Sequence, residues 1–230
     1  MRLLGFLQGV LVTMVLILRP RPSAPRRILA LFLLALTAYL GVLQLDALYA
    51  KGTCGTVLGL RLALPFLFGP FLYLYIAAAS GRWLRFSVSS ALHLTPFLAM
   101  VTVAPWVHFA GDRLTMLELI HAVHGLGYTV GAARVLHDYT SRVARLGVQT
   151  ESRDRLLWLR SLVGSNGVTG LIAMCSHAAG SSDWGTTLRV ACLIHCIGAG
   201  LLVYPRAVRD TARYPRVSFG WKFRRQKSAQ

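Results

Sequence analysis

Apolar runs alternate with short basic connectors along the chain as far as about residue 205. The runs read Leu3–Leu18, Ile28–Leu48, Leu62–Ala79, Ala91–Trp106, Leu114–Ala133, Leu156–Ala179 and Leu188–Tyr204. A helix advances about 1.5 Å per residue, so about 20 residues cross a hydrocarbon core of about 30 Å. Each run is long enough, or nearly so, to make that crossing. The pattern predicts an all-α fold: a polytopic transmembrane helical bundle of seven spans over residues 1–205, followed by a short basic tail over residues 206–230. The Pro-rich connector Pro20–Pro25 cannot continue a helix and reads as a stiff turn between the first two spans.

Composition agrees. The chain is 55% hydrophobic and only 14% charged, with a mean hydropathy of +0.54. That is more apolar surface than a soluble domain of this size needs, so the excess faces lipid. Basic residues in short loops stay on the cytoplasmic side, which turns the arginines into a topology signal. With the N-terminus outside, five of the 25 basic residues fall outside: Arg2, Lys51, Arg61, Arg113 and Arg189. The other 20 fall inside, among them Arg26, Arg82, Arg134, Arg142, Arg155 and the tail from Arg206 to Lys227. Seven passes, N-terminus out and C-terminus in, satisfy this split; six would carry the basic tail across the membrane.

A formal net charge of +17 ordinarily suggests nucleic acid. Here the arginines serve topology and sit against anionic headgroups, so no direct nucleic acid binding by this chain is expected. The expected partners are the lipid bilayer itself and, as an oligomeric state the pattern allows, a homodimer. A cleaved signal peptide is not expected, because Arg19, Arg21, Arg26 and Arg27 follow the first apolar run and no small-residue cleavage pattern precedes them.

Cys175, Cys192 and Cys196 lie inside predicted spans and Cys54 in an outer connector, which is no disulfide framework. The chain also lacks a glycine-rich phosphate loop, a C-x-x-C pair and a nucleophile elbow. Soluble-enzyme chemistry has no foothold, no cofactor is expected, and the protein reads as non-enzymatic.

The third run is the most distinctive: Leu64-Pro65-Phe66-Leu67-Phe68-Gly69-Pro70-Phe71-Leu72-Tyr73-Leu74-Tyr75-Ile76. Gly69-Pro70 is expected to kink this helix by removing a backbone donor and crowding the preceding turn. Tyr73 and Tyr75 are expected near the cytoplasmic interface. The fourth run opens Ala91-Leu92-His93-Leu94-Thr95-Pro96-Phe97-Leu98, a helix start with His93 in the headgroup zone.

These two strings, with Tyr128 in the fifth span and Leu157-Trp158-Leu159-Arg160 entering the sixth, resemble the N-terminal multi-pass membrane region of bacterial AraC-type transcriptional regulators. The resemblance covers roughly residues 1–205 and rests on Gly69, Pro70, Tyr73, His93, Pro96 and Trp158, largely membrane-packing positions. It implies a sensor in the bacterial cytoplasmic (inner) membrane, joined to a cytoplasmic helix-turn-helix domain. In that family about a hundred residues follow the last span, whereas here the sequence runs to Gln230 with Pro205, Pro215 and Gly220 in its tail. DNA binding is therefore not carried over. The resemblance implies a membrane sensor half, either truncated, split from a separate cytoplasmic DNA-binding output domain, or acting through a partner.

Ionisable groups inside spans normally face a bundle interior or a wet cavity. Glu118, His121 and His124 recur every three residues and share one broad face of the fifth span. They read as a solvated headgroup patch, a pocket sensing a ligand or protons, or a metal site, since imidazole changes charge near neutral pH. Cys192, His195 and Cys196 share a face of the last span, with Cys175 and His177 on the helix before it. Sulfur and imidazole suit zinc, copper or haem iron, but no short loop fixes their geometry, and small packing cysteines with a satisfied core histidine are the more common outcome. Asn166 among Gly164, Gly167 and Gly170 reads as an interhelical hydrogen bonder. Asp46, Asp112 and Asp183 read as solvated.

Two function classes follow. One is a non-enzymatic sensor in which a ligand shifts the packing of seven helices. The other is a small membrane carrier, or a haem- or metal-binding membrane enzyme, using the intramembrane histidines.

Overall fold

The protein is described from a computed structural model. It describes residues 2–18, 23–48, 55–81, 92–104, 112–146, 151–178 and 182–203. All regular structure among them is helical: α1 (Arg2–Leu18), α2 (Ala24–Leu48), α3 (Gly55–Ala63), α4 (Pro65–Ala79), α5 (Thr95–Val103), α6 (Asp112–Leu146), α7 (Glu151–Ala178) and α8 (Ser182–Val203). The all-α class read from the sequence is the class observed. The predicted tail over residues 206–230, Cys54 and the connector arginines Arg82 and Arg85 lie outside the described residues.

Two helical stretches, Ala24–Leu48 and Thr56–Ala79, are long and apolar enough to cross a membrane; Arg2–Leu18 and Thr187–Val203 are shorter apolar helices. The second long stretch joins α3 to α4. Its irregularity falls at Leu64, where the assigned helix lapses before Pro65 at the first position of α4. Gly69-Pro70, where a kink is expected, lies within α4, which runs on through Pro70 to Ala79. Proline fits the opening turn of a helix, where its missing donor has no intrahelical partner. At the other end, Gly81 adopts φ 75° and the Ser80 N–H donates to Ile76 O at 2.9 Å, closing the last turn.

Helix α1 packs on α2, α2 on α4, α4 on α6, α6 on α7, α7 on α8, and α8 back on α1. The order closes a ring, with α5 laid against α3 and α4. Helix α2 lies at the heart of the core: Leu29, Phe32, Leu33, Leu36 and Leu40 are fully buried. The apolar character does not stop at the buried face. Leu4, Leu7 and Leu11 of α1, Val123 and Val130 of α6 and Leu171 of α7 are all exposed. Helices apolar on both faces are built for a surrounding as apolar as their core.

Close approach is achieved by glycines. A Cβ on Gly9 of α1 would run into the Thr37 side chain, and one on Gly200 of α8 would lie inside the Trp158 ring. Gly5 and Gly9 stand four residues apart on α1, the small-x-x-x-small spacing that lets helices touch through their backbones.

Helix α6 runs past its apolar run at both ends, and α7 runs past its own at the N-terminal end. The fifth run ends at Ala133, yet α6 continues to Leu146, and α7 begins at Glu151 rather than Leu156. Arg134, Arg142 and Arg155, read as connector residues, are therefore helical. Arg155 is also buried, donating to the Ala79 carbonyl at the end of α4, with its guanidinium 5.9 Å from the centroid of the Tyr139 ring.

Candidate functional site

Helices α4 and α6 meet along faces of matching spacing. Phe66, Gly69 and Tyr73 on α4, and His121, His124 and Tyr128 on α6, fall at positions that line one side of a helix. The rings interleave edge to face. Phe66 lies 4.1 Å from the His121 ring and 5.2 Å from that of His124, and His124 lies 4.9 Å from Tyr128. Tyr73 continues the series at 6.1 Å from Tyr128. The third contributor enters just before α5, where His93 Nδ1 and the Tyr128 hydroxyl share a hydrogen bond of 2.6 Å.

Gly69 makes this contact feasible. A Cβ there would come within 2.9 Å of Tyr128 Cδ2 and 3.0 Å of Tyr128 Cβ, so α6 approaches α4 through the gap that glycine leaves. Phe66 is buried, while Tyr73, His93, His121, His124 and Tyr128 are half-buried. The His124 Nδ1 atom is buried with no hydrogen-bond partner among the described residues. The face thus carries hydrogen-bonding ring edges of the kind that line small-molecule sites. An aromatic lining with a few convergent polar atoms is the usual make-up of such sites.

His121 and His124 occupy one face, as their spacing predicts; the side chain of Glu118 lies outside the described residues. Tyr73 and His93, which carried the resemblance, join those histidines in one cluster, although the sequence places the two sets in different spans. Phe66, which links the two histidines, was missed, and its only sequence signal is its spacing three residues ahead of Gly69. Pro96 sits in the first turn of α5 and Pro70 is buried within α4. Trp158 is buried elsewhere, its indole N–H donating to the Tyr75 hydroxyl at 2.7 Å. Tyr75, expected near the cytoplasmic interface, is 3% exposed and packed in the core of the bundle.

The second predicted cluster does not assemble in the same way. His195 Nδ1 is hydrogen-bonded to the Ala191 carbonyl one turn back at 2.7 Å, Cys192 and Cys196 are free thiols, and Cys175 is exposed. The His177 side chain lies outside the described residues, as does that of Asp183. Among the described residues, no group of three or more His, Cys, Asp or Glu gathers as a metal site.

Two charged residues stand otherwise than expected. Asp46, read as solvated, accepts from Arg61 Nη1 at 2.7 Å, with both side chains 19% exposed. Arg189, counted among the outer basic residues, lies within α8, buried, and donates from Nη2 to Asn166 Oδ1 at 3.2 Å. Asn166 is the interhelical hydrogen bonder its surroundings suggested, donating to Thr129 Oγ1 at 2.6 Å. The signal for Arg189 was present: it is the single charged residue in the apolar run Leu188–Tyr204. No family model, curated protein or solved structure matches this chain.

Proposed function

We propose that this chain is the seven-pass sensor half of a bacterial inner-membrane signalling system, with its N-terminus outside and its C-terminus in the cytoplasm. The ring cluster of Tyr73, His93, His124 and Tyr128 is the place where a small molecule acts. The observation that carries the reading is the hydrogen bond between His93 and Tyr128, because it ties the entry of α5 to α6 across the face of α4.

A ligand shifts an equilibrium only as far as it binds one arrangement better than the other. A molecule that takes over the Tyr128 hydroxyl or inserts beside the His124 ring favours a state in which α5 and α6 part. Helix α6 then supplies the lever. At 35 residues it is about 52 Å long against a hydrocarbon core of about 30 Å, so movement at Tyr128 is carried stiffly to Leu146. The resemblance to the membrane region of AraC-type regulators supports a separate cytoplasmic DNA-binding domain as the receiver.

Two strains test this, carrying Tyr128→Phe or His93→Ala in the native locus. The expected result is wild-type amounts of protein in the membrane fraction with a changed transcript profile. Identical profiles in both variants and the wild type across growth media overturn the reading. Haem absorbance or stoichiometric bound metal in the purified protein would favour a redox enzyme instead.

A further inference from the structure

Helix α5 is nine residues long, and none of them is buried. Helix α4, which it lies against, buries ten of its 15. The spacing of apolar residues accounts for this shallow seat. His93, Phe97, Met100 and Ala104 fall four, three and four residues apart, so they line one side of the segment. Phe97 and Met100 are half-buried against the small cluster of Leu62, Phe66, Ala104 and Leu117, and Ala104 itself lies just past the last turn. Phe66 is also the ring that touches both His121 and His124. The inner side of α5 therefore closes over one end of the ring cluster. Its other side, with Leu92 before the helix and Leu98 and Val103 within it, is exposed.

Polar ties are as few as apolar ones. Thr102 turns back on its own helix, donating to the carbonyls of Leu98 and Ala99 at 3.0 and 2.9 Å. Among the described residues 92–104, the side-chain hydrogen bond that reaches another helix is the one between His93 Nδ1 and the Tyr128 hydroxyl at 2.6 Å. A helix this short does not stand by itself in solution and takes its stability from packing. Elements with few buried apolar contacts open locally at a small fraction of the cost of global unfolding. Helix α5 has that character, whereas α4 does not.

We propose that α5 is a lid over the ring cluster, latched by His93 on Tyr128, which lifts outward as a unit while α4 and α7 keep their packing. Opening frees the Tyr128 hydroxyl and uncovers Phe66 with the two imidazole rings beside it. A ligand that prefers the open arrangement holds it open by that preference. The lid rests on the proposed function for its purpose, since it gives the ring cluster a lateral way in, but its motion is measured without reference to signalling.

Hydrogen–deuterium exchange of the full chain in a neutral detergent, read by mass spectrometry, tests the lid. The amides of Leu98 and Ala104 are hydrogen-bonded to the carbonyls of Leu94 and Met100, so their exchange reports opening of the segment. Residues 98–104 are expected to exchange at least tenfold faster than residues 72–79 of α4 and 123–130 of α6. Val123 and Val130 are exposed as Leu98 is, so shielding by the micelle does not produce the difference. His93→Ala and the milder Tyr128→Phe cut the latch, and each is expected to speed exchange of residues 98–104 about threefold while α4 and α7 stay at the wild-type rate. The proposal is overturned if residues 98–104 exchange less than tenfold faster than the two comparison segments, or if neither variant speeds them. It is equally overturned if the variants speed α4 and α7 as much as α5, because the hydrogen bond then serves the whole bundle and not a lid. A changed transcript profile in these variants, with α5 as firmly protected as α4, would sink the lid and spare the ring cluster as a site. Unchanged transcripts with a freely opening α5 would do the reverse.

Discussion

Helix α4 presents two edges to the rest of the bundle, and they are finished differently. Toward α7 it offers Tyr75 and Ala79. The Tyr75 hydroxyl accepts from Trp158, the Ala79 carbonyl accepts from Arg155, and the Trp158 ring fills the space left by Gly200. Toward α6 it offers Phe66, Gly69 and Tyr73, which meet half-buried rings and one buried imidazole nitrogen without a partner. A closed edge resists change because every alternative leaves a polar group unpaired or a void unfilled. An edge with spare hydrogen-bonding capacity can exchange an internal contact for a ligand. In the proposed function, α7 is the fixed neighbour of α4 and α6 is the element that responds to a ligand.

The largest expected effect breaks the fixed edge. In a bilayer the unfolded helices already sit in an apolar medium, so losing a buried ring costs mainly lost packing and the cavity left behind. Trp158→Ala, which also strands the Tyr75 hydroxyl, is expected to destabilise by about 3 kcal/mol, measured by reversible unfolding in mixed micelles. A loss below about 1 kcal/mol would show that this edge is not fixed.

The next effect probes the fit at the responsive edge. Gly69→Ala forces a Cβ against Tyr128 Cβ, which cannot swing aside as a ring can, and is expected to cost about 2 kcal/mol. Gly127 has nothing within 4 Å of an added Cβ, so Gly127→Ala is expected to stabilise by about 0.5 kcal/mol through helix propensity alone. Equal effects at the two glycines would contradict the tight approach at Gly69.

The smallest effect sharpens the contrast. Tyr128→Phe removes one interhelical hydrogen bond, worth about 0.6 kcal/mol within a membrane bundle, while Tyr75→Phe leaves the Trp158 N–H buried without its acceptor and costs about 2 kcal/mol. The comparison fails if the order is reversed.

The apolar runs made the helices legible because lipid contact demands them, and α1 and α2 begin and end within a few residues of their runs. They under-read α6 by 13 residues at its C-terminal end, since a helix ends where its hydrogen bonding ends and not where the hydrocarbon does. The same confusion of polarity with exposure placed Arg189 and Asp46 in water. Half of the candidate site was visible as a helical face, in His121 and His124. Its union with Tyr73 and His93 was not, because three helices converge there and periodicity describes one helix at a time. Arg155 was hidden for the same reason: its partner, the end of α4, is 76 residues away.

The proposed function sets the ring cluster between helices that thread a membrane seven times, and labelling with a membrane-impermeant maleimide in intact cells tests that most directly. Two variants suffice, both with Cys175, Cys192 and Cys196 replaced by Ala: one keeps Cys54, and the other carries Cys54→Ser with Ser228→Cys. The account predicts that Cys54 labels in intact cells, whereas the residue 228 thiol labels only after permeabilisation. Labelling of both thiols, or of neither, in intact cells would contradict it.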